Sequence, residues 1–297
     1  MHFSNKLCDH LKIVKDIKHL KTLIRDIKSK NQLIGFVPTM GSLHSGHLSL
    51  IKESIHENDI TICSIYVNPT QFNDPVDFST YPRENNIDIE LLQSLDCDIV
   101  FLPIDQEMYP EDNNIINYDY SDHMNILEGE KRPGHFLGVV TIVHKFFNLI
   151  NPDRAYFGEK DYQQLWLIKL FTKTFQLPIE IKGCKTIRDT NGLALSSRNK
   201  NLTTQQQEHA RSLFLALDSF RHAIKKTIHI DHKNFIDLKD KIILQCLSHL
   251  SIKLDYFEVI EDESFRFVNE IKNDQKYRIL IAAYVGGVRL IDNMLIE

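Results

Sequence analysis

The sequence predicts an α/β fold: a parallel-sheet domain comes first and a smaller α+β domain follows it. Three observations predict this. Short apolar runs alternate with helical patterns between residues 33 and 186, the rhythm of strands joined by helical crossovers. That rhythm stops at Asp189-Thr190-Asn191-Gly192, where Asn-Gly is a strong turn signal. Beyond it, two helical patterns precede two β-rich stretches, 254–260 and 278–285. A chain of 297 residues is long for one domain and short for three, and the boundary is placed to give domains 1–185 and 186–297.

Each element has its own signal. Residues 9–29 carry Leu11, Val14, Ile17, Leu20, Ile24 and Ile27 at helical intervals, which predicts an amphipathic opening helix. The run Leu33–Val37 reads as a strand, followed by a glycine-containing loop and a helix marked by Leu48, Ile51 and Ile55. Further strands are predicted at 60–67 and 98–102, with a helix over 84–95 between them. Residues 139–150 are strongly apolar and end before Pro152, the signature of a buried helix. A short strand at 155–157, a helix at 161–174 and a strand at 179–186 complete a Rossmann-like unit. In the second domain, Thr203 and Gln206 form a capping-box pattern for a helix reaching about Lys226, and 231–250 reads as another helix.

Composition narrows the function. With 42% hydrophobic and 25% charged residues, the chain sits in the ordinary globular range. A formal charge of -5 gives no global basic field, so no nucleic-acid partner is implied and any phosphate chemistry is confined to a local site. Five scattered cysteines, Cys8, Cys63, Cys97, Cys184 and Cys246, contain no Cys-x-x-Cys pair, which argues against a disulfide framework and favours a reducing cytoplasm. Neither a leader peptide over residues 1–30 nor a membrane-spanning run of about 18 apolar residues is read.

Three strings carry candidate chemistry. His44-Ser45-Gly46-His47 falls where a strand gives way to a helix; helix N-termini attract phosphates, and histidines there can donate to phosphate oxygens. Leu195-Ser196-Ser197-Arg198-Asn199 puts two hydroxyls beside a guanidinium near the domain junction, a set suited to a triphosphate. Gly158-Glu159-Lys160-Asp161 places a lysine at the carboxyl end of a strand, where ligands of open α/β sheets bind. Two more strings, Asn68-Pro69-Thr70-Gln71-Phe72 and Arg132-Pro133-Gly134-His135-Phe136, suit a small polar substrate. Each string alone has a plain alternative as a turn, cap or solvated surface.

Taken together the strings resemble the nucleotidyl-transferase superfamily that includes class I aminoacyl-tRNA synthetases, and within it the pantothenate synthetase (pantoate–β-alanine ligase) family. The resemblance rests on Val37 to His47, Val67 to Phe72, Tyr81-Pro82-Arg83, Arg132 to Phe136, Phe157 to Leu165, Gly192 to Asn199 and Arg289 to Asn293, in order along nearly the whole chain. Thr70 departs from the Met frequent at its place and Leu137 from a frequent Arg, while 220–275 shows little to match.

The resemblance implies that pantoate attacks ATP to give pantoyl adenylate and pyrophosphate, and that β-alanine then displaces AMP. It implies His47, His44, Lys160 and Arg198 as catalytic residues. The ATP site would comprise Met40, Gly41, Ser42, Leu43, His44, Ser45, Gly46 and His47, then Gly158, Glu159, Lys160 and Asp161, with Ile187, Leu195, Ser196, Ser197 and Arg198. Gln71 and Gln164 would hold pantoate, and Asn68 and Arg132 are the further candidate substrate-binding residues. Mg²⁺ would accompany ATP, with Asp88 as its ligand; the alternative for Asp88 is an exposed acid on a helix. No tightly bound organic cofactor, a homodimer and a lid role for the smaller domain are further expectations. Two rivals remain at this point: a cytidylyltransferase-like enzyme, which would need a second anionic pocket, and a non-catalytic nucleotide-binding regulator.

Overall fold

The apolar run ending at Thr39 forms a central strand of a six-stranded parallel sheet, whose strands lie in the order Lys12–Val14, Ile99–Phe101, Ile60–Ile65, Ile34–Thr39, Arg154–Gly158 and Glu180–Cys184. The computed structural model describes residues 11–110, 118, 121–225, 230–248, 251–272 and 275–296. They divide into two units: Met1–Gly158 with Gln163–Cys184, and Glu159–Tyr162 with Lys185–Glu297.

The first unit runs β1 (Lys12–Val14), α1 (Ile17–Ser29), β2 (Ile34–Thr39), α2 (Ser45–Glu57) and β3 (Ile60–Ile65). It continues through α3 (Pro75–Thr80), α4 (Asn85–Ser94), β4 (Ile99–Phe101) and three short helices, α5 (Asp105–Met108), α6 (Ser121–Met124) and α7 (Glu128–Lys131). Helix α8 (His135–Ile150), β5 (Arg154–Gly158), α9 (Tyr162–Thr174) and β6 (Glu180–Cys184) complete it. Successive strand residues face opposite sides of the sheet. Val37, Cys63 and Val100 share a register row and pack with Leu50 and Ile51 of α2 and Leu92 of α4. Phe36 and Phe101 face the other way, their rings 5.5 Å and 6.2 Å from Phe146 of α8.

The predicted opening helix is corrected at its start. Lys12–Val14 pair in parallel with Ile99–Phe101 as an edge strand, and the helix begins only at Ile17, where Asp16 accepts the His19 N–H at 2.7 Å. Residues 9 and 10, and Cys8, lie outside the described residues. The buried helix starts earlier than predicted, at His135, and β3 stops at Ile65.

The second unit contains α10 (Thr204–Lys225), α11 (His232–Leu247) and an antiparallel sheet of β7 (Ile252–Glu261), β8 (Tyr277–Val285) and β9 (Val288–Ile296). The capping box forms as read: Gln206 N–H donates to Thr203 Oγ1 at 3.2 Å and Thr203 N–H to Gln206 Oε1 at 2.9 Å. Positions 226, 249 and 250 of the predicted helices lie outside the described residues. Strand β9 has no counterpart in the sequence reading. It is delivered by the Gly286-Gly287 hairpin, whose φ values of 56° and 85° suit glycine. Leu213, Leu217 and Phe220 of α10 pack with Phe257, Ile279 and Ile281 of the sheet. Among the described residues no helix is long and apolar enough to cross a membrane.

Candidate active site

The loop between β2 and α2 is built by its own backbone and braced from α4. Thr39 Oγ1 donates to Ser64 O at 2.8 Å and accepts Gly41 N–H at 3.2 Å, so the chain turns as it leaves the sheet. Gly41 has a φ of 82° and Ser42 one of 50°, a left-handed pair that costs a side-chain-bearing residue more than glycine. Asp88 of α4 compensates: its two carboxylate oxygens accept Ser42 N–H at 2.8 Å and Leu43 N–H at 2.7 Å. Asp88 is 1% exposed, which corrects the exposed-acid reading. A metal at this carboxylate would have to compete with two loop amides.

His44 caps α2. Its Nδ1 accepts Gly46 N–H at 3.1 Å, and His47 Nδ1 accepts His44 N–H at a longer 3.4 Å. The pair forms a reciprocal capping box in which His47 takes the place usually held by Glu or Gln. A ring nitrogen that accepts an N–H does not itself carry a hydrogen, so these contacts assign each ring's hydrogen to Nε2. The two ring centroids lie 4.1 Å apart. Gly46 serves the ring rather than only a ligand: a Cβ there would lie 2.8 Å from His44 Cε1.

The second string joins this loop directly. Gln71 Nε2 lies 2.8 Å from Met40 Sδ, and Gln71 Oε1 accepts Asn68 Nδ2 at 3.2 Å. Asn68 is engaged on both sides, its oxygen accepting Tyr109 OH at 2.7 Å and its nitrogen donating to Gly138 O at 3.1 Å. Arg132 Nη1 lies 3.0 Å from His135 Nε2, and His135 Nδ1 lies 2.8 Å from Gln71 O. A carbonyl only accepts, so His135 carries its proton on Nδ1 and receives the guanidinium on Nε2. Met40, Asn68, Gln71 and Arg132 thus belong to one connected set. Gln164 is half-buried on α9. Its neighbour Gln163 ties a loop, accepting Glu128 N–H and donating to His123 O and Ile126 O.

The remaining predicted residues fall in the second unit, apart from Gly158 at the end of β5. Glu159–Asp161 form a single helical turn. Asn293 Nδ2 donates to the carbonyls of Glu159 at 2.7 Å and Lys160 at 2.9 Å. Asn293 Oδ1 in turn accepts Arg278 Nη1 at 2.7 Å, and Arg278 stacks 3.8 Å over the Tyr162 ring. Arg188 forks onto Asp292 at 2.5 Å and 2.8 Å. Burial raises the Asp292 pKa above its usual value, against the pull of Arg188, the Asn293 N–H and the Lys160 charge. Leu195 N–H donates to Ile187 O at 2.9 Å, and Ser196 Oγ caps the following turn by accepting Arg198 N–H at 3.3 Å. The structure so brings Lys160, Ile187, Leu195, Ser196, Ser197 and Arg198 into one unit. The sequence reading named Arg289 to Asn293 but gave them no task; Asp292 and Asn293 prove to be the braces.

Fold and loop together define an α/β protein whose polar strings follow the carboxyl ends of parallel strands, the edge on which such sheets bind ligands. The sequence model for pantoate-β-alanine ligase matches residues 12–295. A pantothenate synthetase from Pseudothermotoga lettingae is 43% identical over 294 residues, covering 96% of this chain and 98% of that one. The crystal structure of pantothenate synthetase from Thermus thermophilus superposes with a TM-score of 0.85 at 33% identity, covering 95% and 98% of the two chains. That of pantoate-β-alanine ligase from Francisella tularensis, complexed with β-γ ATP and β-alanine, gives 0.77 at 41% identity, covering 96% and 97%. This chain belongs to the pantoate–β-alanine ligase family.

Proposed function

We propose that this chain joins pantoate to β-alanine at the expense of ATP, through a pantoyl adenylate, releasing pyrophosphate and then AMP. Membership of the family supports the overall reaction. The observation that carries the chemistry is the histidine pair at the start of α2, whose Nδ1 atoms each accept a backbone N–H and so leave Nε2 as the donating nitrogen. A carboxylate is already ionised at neutral pH, so adenylate formation needs in-line positioning and charge neutralisation rather than a base. His44 and His47 are assigned to donate to phosphate oxygens as charge builds there. Residues Met40 to His47, Gly158 to Asp161, Ile187 and Leu195 to Arg198 are assigned to ATP, with Lys160 and Arg198 neutralising phosphate. Gln71 and Gln164 are assigned to pantoate. Because Asn68 is engaged on both sides and Arg132 faces His135, those two are assigned to support Gln71.

Mg²⁺ enters this proposal as part of the MgATP substrate. Among the described residues no group of three or more His, Cys, Asp or Glu is placed to hold a metal, and both carboxylate oxygens of Asp88 accept loop amides. Homodimer formation, cytoplasmic location and closure of the smaller domain over the reacting adenylate rest on the family resemblance and on composition. Size-exclusion light scattering tests the dimer, and a fall in the X-ray scattering radius on adding ATP tests closure.

The deciding experiment supplies ATP, Mg²⁺ and pantoate, with and without β-alanine, and follows pyrophosphate and AMP. Pyrophosphate release dependent on pantoate, with AMP and pantothenate appearing on adding β-alanine, is expected. Folded protein that binds ATP without pantoate-dependent turnover would overturn the assignment in favour of a nucleotide-binding regulator.

A further inference from the structure

Tyr109, at the end of α5, is absent from every motif discussed above, and Thr70 is a departure from the family pattern. Both hydroxyls converge on one atom. Tyr109 OH donates to Asn68 Oδ1 at 2.7 Å, Thr70 Oγ1 lies 3.1 Å from the same oxygen, and the two hydroxyls are 3.1 Å apart.

We propose that Tyr109 and Thr70 are a positioning pair that, together with the Gly138 carbonyl, holds the orientation of the Asn68 and Gln71 amides, so that Gln71 turns its NH₂ toward the ligand and selects a hydrogen-bond acceptor there. An amide has one accepting end and one donating end. The Gly138 carbonyl only accepts and so requires the Asn68 NH₂ on its side, while the two hydroxyls satisfy the amide oxygen on the other and the NH₂ also reaches Gln71 Oε1. With its oxygen occupied, Gln71 must direct Nε2 the other way, where its partner is the Met40 thioether. A thioether is a weak acceptor, so a ligand carboxylate or hydroxyl oxygen is a better partner for those N–H groups. Reversing the first amide would reverse the second and present a carbonyl to an anionic ligand.

The pair is built to stay a donor. Two hydroxyl hydrogens serve three contacts, so Thr70, which is exposed, shares its bond while Tyr109 holds the short one. Burial, first among the influences, raises the Tyr109 pKa, and the phenol stays protonated at neutral pH. The Lys145 ammonium sits 4.9 Å from the ring centroid and Tyr66 OH donates to Asp105 at the start of α5 at 2.8 Å; both hold the ring in place.

This inference rests on the assignment of Gln71 to pantoate, and the test separates the two. Initial rates of the full chain are measured against pantoate, ATP and β-alanine in turn, for the unaltered protein, Tyr109→Phe, Thr70→Val and the double variant. Tyr109→Phe is expected to raise the pantoate KM about tenfold, the scale of one lost hydrogen bond, with kcat and the other two KM values within about twofold. Thr70→Val is expected to raise it about threefold because water can replace an exposed partner. The double variant should exceed the product of the two singles, because either hydroxyl can satisfy the Asn68 oxygen alone and only loss of both leaves it unsatisfied. Equal rises in all three KM values, a double variant no worse than the product, or an unchanged pantoate KM in Tyr109→Phe would each overturn the pair alone. Should Tyr109→Phe fail to fold, an unchanged pantoate KM in Thr70→Val overturns it. Absence of pantoate-dependent pyrophosphate release from the unaltered chain overturns the functional assignment, and the pair with it.

Discussion

Replacing Asp88 distinguishes a loop brace from a metal ligand. Both oxygens accept backbone N–H groups of Ser42 and Leu43 at a position 1% exposed to solvent. Asp88→Ala leaves two buried donors unsatisfied at about 1–3 kcal/mol each, or about 2–6 kcal/mol together. It also removes what holds Gly41 and Ser42 at positive φ, a conformation that costs Ser42 roughly 1–2 kcal/mol. Against a typical stability of about 5–15 kcal/mol, that is a large loss. Asp88→Asn keeps the shape and one acceptor but turns an N–H₂ toward one of the loop amides, so an intermediate loss is expected. The assay is urea unfolding in EDTA, with pyrophosphate release measured in parallel over a magnesium titration. A brace predicts metal-independent destabilisation in the order Ala, then Asn, then unaltered chain. Unchanged stability in EDTA, combined with a steeply higher magnesium requirement for turnover, would refute the reasoning and restore the ligand role.

Three further outcomes follow from the same geometry. His47→Ala and His44→Ala should each slow pantoate-dependent pyrophosphate release by about 10²–10³, the cost of losing one preorganised donor, read by coupled assay with the melting temperature as control. Asp292→Asn breaks a buried fork to Arg188 and should cost about 3–5 kcal/mol in urea unfolding. Asp153 provides a pH test: burial pushes its pKa up, but Lys28, the Ile34 N–H and Arg154 outweigh this and hold it below the usual 3.8. A depressed carboxyl stabilises the fold fully above its unfolded value and loses that contribution as pH falls below about 4, so Asp153→Asn should destabilise at pH 7 and flatten the acid limb of stability.

The alternating sheet was legible because its signals are local. Apolar runs, crossover helices, the Thr203/Gln206 capping box and the Asn191-Gly192 turn are all written within a few residues of where they act. β1 was not, since three residues are too few to show a period and Leu11 and Val14 fit a helical spacing equally well. β9 was readable in principle: Gly286-Gly287 between apolar runs is a hairpin signal of the kind that also marks tight β turns elsewhere.

The site divides along a different line. The sequence names polar strings, but reacting groups and the groups that brace them draw on the same residue types, and only burial and partnership separate them. Asp88 acts on Ser42 from 46 positions away, Arg188 on Asp292 from 104, and Asn293 on Lys160 from 133. No periodicity encodes such pairs. Gln163 and Gln164 differ in burial and partnership at adjacent positions: Gln163 is 4% exposed with three loop partners, and Gln164, the one proposed for pantoate, is half-buried. Asn68 and Gln71 differ in partnership as well, three positions apart. Asn68 gives both ends of its amide to protein groups of full strength, whereas Gln71 meets only a thioether at its donating end. A ligand gains most where the protein's own partner is weakest, and that asymmetry is the basis on which Gln71, supported by Asn68, is proposed as the pantoate contact.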